Sequence, residues 1–188
     1  MSHMMIKTDR RRLLQLIGAG ALGSTLPLGM MTSANAANLR IAMVVKNLGN
    51  SYFDACRDGA NEAAKELGGI EIVYTAPTKA TPEDQIAVID ALIAQKVDGI
   101  MVSSNDANAL VPVGKKAMQR GIKVISFDSA IAKDGRIMHL NASSTALIGA
   151  KQVQMIAKTI KGEGEIAILS AASTMTNQNS WIAAMKDE

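Results

Sequence analysis

From residue 39 onward, short apolar runs alternate with longer stretches whose apolar residues recur at helical spacing. The first run, over 39–45, ends in a polar turn carrying Lys46, Asn47 and Asn50. Consecutive apolar residues bounded by turn signals predict a strand buried on both faces, as in the parallel sheet of an α/β domain. A helix is expected over 51–67, with Tyr52, Cys56, Gly59, Ala63 and Leu67 at helical spacing and Gly68-Gly69 as its stop. A second strand follows over 70–75. Thr81-Pro82-Glu83-Asp84 then supplies an N-cap, a first-turn proline and an acidic residue three places after the cap, opening a helix with Ile86, Ile89 and Ile93 on one face. Further strands are predicted over 98–103, 122–127, 136–140 and 165–169, and further helices over 107–120, 145–161 and 177–186. Pro112 falls near the start of its helix, where the missing N–H costs least. This alternation predicts an α/β fold, a parallel sheet flanked by helices with right-handed crossovers.

In such sheets ligands bind beyond the carboxyl ends of the strands. The predicted register puts Lys46, Asn47 and Asn50 after the first strand and Ser103, Ser104, Asn105 and Asp106 after the third. Asp128 and Ser129 follow the fourth, and Asn141 the fifth. A mixture of carboxylate, amide, hydroxyl and ammonium is what a neutral polyol requires, because each sugar hydroxyl both donates and accepts. Tyr52 and Phe53 are placed to cover the apolar face of a pyranose ring. Plainer roles compete: Asp106 and Asn50 as helix caps, Phe53 as core packing. Asp128 resists such a reading, because a carboxylate ending an apolar strand must find partners or solvent.

Composition narrows the picture. The chain has 188 residues, 48% hydrophobic and 20% charged, a globular profile. Its formal charge of +3 comes from Lys7, Arg10, Arg11 and Arg12 against Asp9. From Ala37 on, 16 basic residues face 16 acidic ones, so nothing draws the body toward nucleic acid. Cys56 is the single cysteine, which excludes an internal disulfide, and His3 and His139 are too isolated for a metal site. No cofactor or metal is expected. The sequence holds no G-x-S-x-G elbow, phosphate-cradling loop or consistent carboxylate pair, which points to recognition without turnover.

Residues 1–36 read as an export signal, with a basic start, an apolar stretch, and Ala34 and Ala36 in an A-x-A cleavage pattern. Asp9-Arg10-Arg11-Arg12-Leu13-Leu14 resembles the twin-arginine motif, and the export pathway stays open. Gly18-Ala19-Gly20-Ala21-Leu22-Gly23 matches the dinucleotide fingerprint, but no acidic residue stands about 20 positions further on, and Pro27 interrupts any following helix.

Four stretches carry a resemblance to a known family: Val44 to Phe53 (V-V-K-N-L-G-N-S-Y-F), Asp58 to Gly68 (D-G-A-N-E-A-A-K-E-L-G), Lys115 to Ser129 (K-K-A-M-Q-R-G-I-K-V-I-S-F-D-S) and Thr176 to Trp181 (T-N-Q-N-S-W). In these the chain resembles the type I periplasmic sugar-binding proteins of ABC importers, in the ribose, rhamnose and autoinducer-2 branch. The resemblance implies a monomeric, non-enzymatic periplasmic protein that binds a small sugar between two lobes and delivers it to an ABC permease in the inner membrane. It implies ligand contacts from Lys46, Asn50, Tyr52, Phe53 and Asp128 and from the Asn177-Gln178 pair; Asn105 and Ser129, at the same strand ends, and Asn179, next to that pair, complete the expected set. Autoinducer-2 proteins carry Asp-Gln where this chain has Asn177-Gln178, which favours a rhamnose-like sugar. The expected organisation is a signal over 1–36, a sugar-binding lobe over 37–141 and an incomplete start of the second lobe over 142–188, as in a truncated product. The ligand-sensing half of a lactose-repressor-type regulator shares this fold but needs an N-terminal helix-turn-helix, and residues 1–36 offer a signal instead.

Overall fold

The computed structural model describes residues 38–188. The expected export signal and the glycine pattern at 18–23 lie outside them. The elements are β1 (Leu39–Val44), α1 (Ser51–Leu67), β2 (Ile70–Thr75), α2 (Pro82–Ala94), β3 (Gly99–Val102), α3 (Val111–Gln119), β4 (Lys123–Phe127), a 3-10 turn (Lys133–Gly135), β5 (Met138–Leu140), α4 (Thr145–Thr159) and α5 (Thr176–Met185). The strands form one parallel sheet in the order β2-β1-β3-β4-β5.

The strict alternation of a strand places Ala42 and Val44 on one face of β1 and Met43 and Val45 on the other. Ala42 and Val44 join a core with Ile89, Leu92 and Ile93 of α2 and Val113 and Ala117 of α3. Met43 and Val45 join Phe53 of α1 and Phe127 of β4. Ala42, Val44 and Val45 are 0% exposed, so β1 is buried on both sides. Burial of each Val or Met side chain stabilises the fold by about 1.5–3 kcal/mol relative to exposure.

Local chemistry sets the element ends. Asn50 caps α1 by accepting from the Tyr52 N–H at 3.0 Å, and Thr81 caps α2 by accepting from Asp84 N–H at 3.3 Å. The helix predicted from residue 107 starts later, at Val111. Asp106 accounts for the delay: its Oδ1 accepts from the Asn108 and Ala109 N–H groups, both at 2.8 Å, which holds the preceding residues in a turn.

The strand predicted over 165–169 is absent, and the segment has no strand partner among the described residues. Ile166 and Ile168 are about half exposed and Leu169 is 98% exposed. The run has strand composition but no neighbour on which to form a ladder. The helices on either side of it do pack, and closely. A Cβ built on Gly149 of α4 would lie 2.6 Å from the Ala184 Cβ of α5, so only a glycine allows this approach.

Candidate functional site

β1 is the switch point of the sheet: the chain passes from it to β2 on one side and then to β3 on the other. A crevice opens at such a point beyond the carboxyl ends of the strands. A cavity of about 400 Å³ lies there, within the span of small-ligand clefts, roughly 300–1,000 Å³. Lys46, Asn50, Tyr52, Phe53, Asn105, Asp128, Asn177 and Gln178 all line it.

Asp128 stands at its centre. Its φ of 56° is left-handed, a conformation that Asp tolerates better than most residues, and its N–H donates to Leu140 O at 3.1 Å. The carboxylate is held from three sides. Lys46 Nζ lies 3.1 Å from Oδ2, Ser103 Oγ donates to the same oxygen at 2.7 Å, and Asn177 Nδ2 donates to Oδ1 at 2.8 Å. The Lys46 and Asp128 side chains are only 11% and 9% exposed. Burial pulls the Lys46 ammonium below its ordinary pKa, and the Asp128 charge opposes that fall. Asn177 completes the cluster, its Oδ1 accepting from Lys46 Nζ at 3.4 Å and from the Gln178 N–H at 2.9 Å.

Asn177 and Gln178 belong to the first turn of α5, so this helix is tied to the ends of β1 and β4 through side chains alone. Gln178 Oε1 accepts from Ser170 Oγ at 2.7 Å and from the Ala171 N–H at 2.8 Å, which fixes the loop before α5. Trp181, one turn further along, also lines the cavity. On the opposite wall Tyr52 is 42% exposed, and its ring meets Phe53 edge-on at 5.3 Å. Phe53 meets Phe127 at 6.3 Å and is 3% exposed, so it serves the core and the cavity wall together. Burial, then the nearby Cys56 and Asp128, push the Tyr52 phenol up to about 12, further above the neutral range than its ordinary 10.0.

Two residues expected at the site lie outside this cavity. Ser129 is fully buried, and its Oγ has no hydrogen-bond partner. Its carbonyl accepts from Ser104 N–H at 3.0 Å, which turns the residue beneath the loop rather than into the crevice. Asn179 lies on another side of α5, where it borders a separate cleft with Asp106 and donates to Ser173 O at 2.8 Å. Asn141 borders an adjoining cavity that shares Asp128, Asn177 and Trp181 with this one; its Oδ1 accepts from His139 Nε2 at 2.7 Å, while His139 Nδ1 meets Ser126 Oγ at 2.9 Å.

Gln85 is the positioning residue that the residue pattern did not single out. It is fully buried, and its Nε2 donates to Ser103 O at 2.9 Å and to Val45 O at 3.4 Å. Its Oε1 accepts from the Asn105 N–H at 2.8 Å. One amide thus holds together the loops that leave β1 and β3. A signal was present, because Gln85 stands four residues before Ile89 and eight before Ile93, on the buried face of α2. Asn105, held by Gln85, retains a buried Oδ1 with no partner.

Residues 41–188 match the family described as periplasmic binding protein domain. A D-ribose/D-allose-binding protein of Pseudomonas aeruginosa is 31% identical over 192 residues, which cover 97% of this chain and 60% of that relative. An ABC transporter solute binding protein from Clostridium phytofermentas, solved with bound L-rhamnose, is 39% identical with a TM-score of 0.76, over 80% of this chain and 46% of that one. A solute binding protein from Burkholderia graminis, solved with D-arabinose, is 32% identical with a TM-score of 0.73, over 81% and 52% of the two chains. This chain therefore spans about half to three-fifths of the length of these proteins.

Proposed function

The chain belongs to the periplasmic binding protein domain family, and from that premise we propose that it is the extracytoplasmic solute-binding component of an ABC sugar importer. It binds a monosaccharide without chemical turnover and presents it to a permease in the inner membrane. Residues 1–36 act as the export signal, 37–141 as the first sugar-binding lobe and 142–188 as the beginning of the second. The observation that carries this reading is the buried Lys46–Asp128–Asn177 cluster, set under Tyr52 and Phe53 in a cavity of about 400 Å³ at the strand ends. A recognition site needs what this one has: fixed polar groups for hydroxyls and an aromatic wall for ring carbons.

Among the possible sugars a 6-deoxyhexose of the rhamnose type is favoured. The protein solved with L-rhamnose is more similar to this chain than the one solved with D-arabinose, 39% against 32% identity. Asn177 supports the same choice, since it adds an amide rather than a second carboxylate beside Asp128.

Trp181 lines the cavity, so its fluorescence reports occupancy. Titration of the protein with L-rhamnose, D-ribose, D-arabinose and autoinducer-2 is expected to give saturation with L-rhamnose at the lowest concentration. Saturation by autoinducer-2 alone would refute the sugar reading. No response to any of the four, in fluorescence and in calorimetry, would refute binding of this ligand class.

A further inference from the structure

Lys46 and Asp128 are the charged residues among those lining the cavity, and the other polar lining residues are neutral amides and a protonated phenol. They sit 3.1 Å apart and almost out of solvent, so the cavity as the described residues form it carries no net formal charge. The hydrogen bonds leave a particular remainder. An ammonium has three N–H donors, and Lys46 donates one to Asn177 and stands 3.1 Å from Asp128 Oδ2 as an ion pair, so at least one stays free. Asp128 Oδ2 accepts from Ser103 Oγ and faces the Lys46 ammonium, while Oδ1 accepts only from Asn177, so Oδ1 retains a lone pair. A donor and an acceptor thus remain on two side chains 3.1 Å apart, which is the complement of a hydroxyl.

Building on the sugar reading, we propose that the Lys46–Asp128 pair is a charge filter, which admits neutral polyols and rejects analogues bearing a carboxylate or an ammonium. A carboxylate offers acceptors only: it satisfies the free N–H of Lys46 but meets Asp128 as a like charge. An ammonium offers donors only and meets Lys46 in the same way. Elsewhere in the cavity either ion finds amides and aromatic edges but no counter-charge, and it loses its hydration without compensation. A hydroxyl has neither problem. Asn177 belongs to the device because an amide there braces both charges without adding a third.

The test uses the 188-residue chain, Trp181 fluorescence and three ligands of similar size: L-rhamnose, L-rhamnonate, and the amino sugar 2-amino-2,6-dideoxy-L-mannose. The wild-type protein should bind L-rhamnose at least about tenfold more tightly than either charged analogue. Lys46→Met leaves Asp128 alone, and the amino sugar should gain about tenfold relative to L-rhamnose. Asp128→Asn leaves Lys46 alone, and L-rhamnonate should gain by a similar factor. Either variant suffices if the other fails to fold, with circular dichroism as the check. L-rhamnose binding with the charged analogues within about threefold, or variants that leave the order unchanged, would overturn the filter but not the sugar reading. Preferred binding of L-rhamnonate by the wild type, or no binding of any of the three ligands, would overturn both.

Discussion

β1 and the segment over 165–169 are built from the same kind of residues and end in opposite conditions. In β1, Ala42, Val44 and Val45 are 0% exposed, with β2 on one side, β3 on the other and a helix layer on each face. In the later segment Ile166, Ile168 and Leu169 are 56%, 52% and 98% exposed, although α4 and α5 on either side of it pack against each other. An apolar run states a preference, whereas a strand is a relation between two runs. Where a partner is supplied the preference is realised in full, and where none is described no ladder forms.

The contrast can be broken most sharply with one truncation in the strand that pairs with β1 and one in 165–169. Ile100→Ala in β3 removes a side chain that is 1% exposed and should lower stability by about 2–5 kcal/mol in urea unfolding. Leu169→Ala should change it by less than about 0.5 kcal/mol. Equal losses would mean that 165–169 is buried in solution and would erase the difference.

A smaller effect, about 1–3 kcal/mol, is expected for Gly149→Ala, because the new methyl meets the Ala184 Cβ at 2.6 Å and its carbonyl carbon at 2.9 Å. That change should also displace Asn177 and Trp181 with α5. Trp181 fluorescence should therefore unfold at lower urea than far-ultraviolet circular dichroism, which is dominated by the sheet and its helices. Coincident transitions would show that the two regions melt as one.

The smallest effect is confined to high pH. The Tyr52 phenol is raised to about 12 in the folded protein, above its ordinary 10.0. The folded state therefore holds this proton more tightly than the unfolded chain. The resulting stability is present below pH 10 and lost as pH rises through about 12. Tyr74 is also raised, by burial and then by Asp54. Ultraviolet titration should show late ionisation of both tyrosines when folded and ionisation near pH 10 in denaturant, and Tyr52→Phe should remove the later step. A phenol in Tyr52 that ionises near 10 in the folded protein would contradict its surroundings.

Much of the fold was legible because local and tertiary preferences agree. The bounds of α1 and β2 are those that the apolar spacing, the Asn50 cap and the Gly68-Gly69 stop predict. Where they differ, a specific competitor prevails, such as the Asp106 side chain ahead of α3 or the missing ladder at 165–169. In the site, Lys46, Asp128 and Tyr52 stood out because polar or aromatic groups directly follow apolar strands. Ser129 followed the same logic and still turned away, because it directly follows Asp128, which faces the cavity, and its carbonyl is tied under the loop by the Ser104 N–H. Gln85 shows the opposite failure: it reads as one polar residue in an amphipathic helix, and only the meeting of two loops reveals its three hydrogen bonds.

The left-handed backbone of Asp128 bears on which sequences this site can use. Position 128 carries two requirements at once, a main chain with φ of 56° and a charge that answers Lys46. Asn and Gly satisfy the first alone, and Glu satisfies the second at the wrong length and with a poorer fit to that backbone. Of the twenty residues one meets both. Divergence toward a new ligand is therefore easiest at neighbouring positions such as Asn50 and Asn177, while position 128 has almost no freedom to vary without loss of the site.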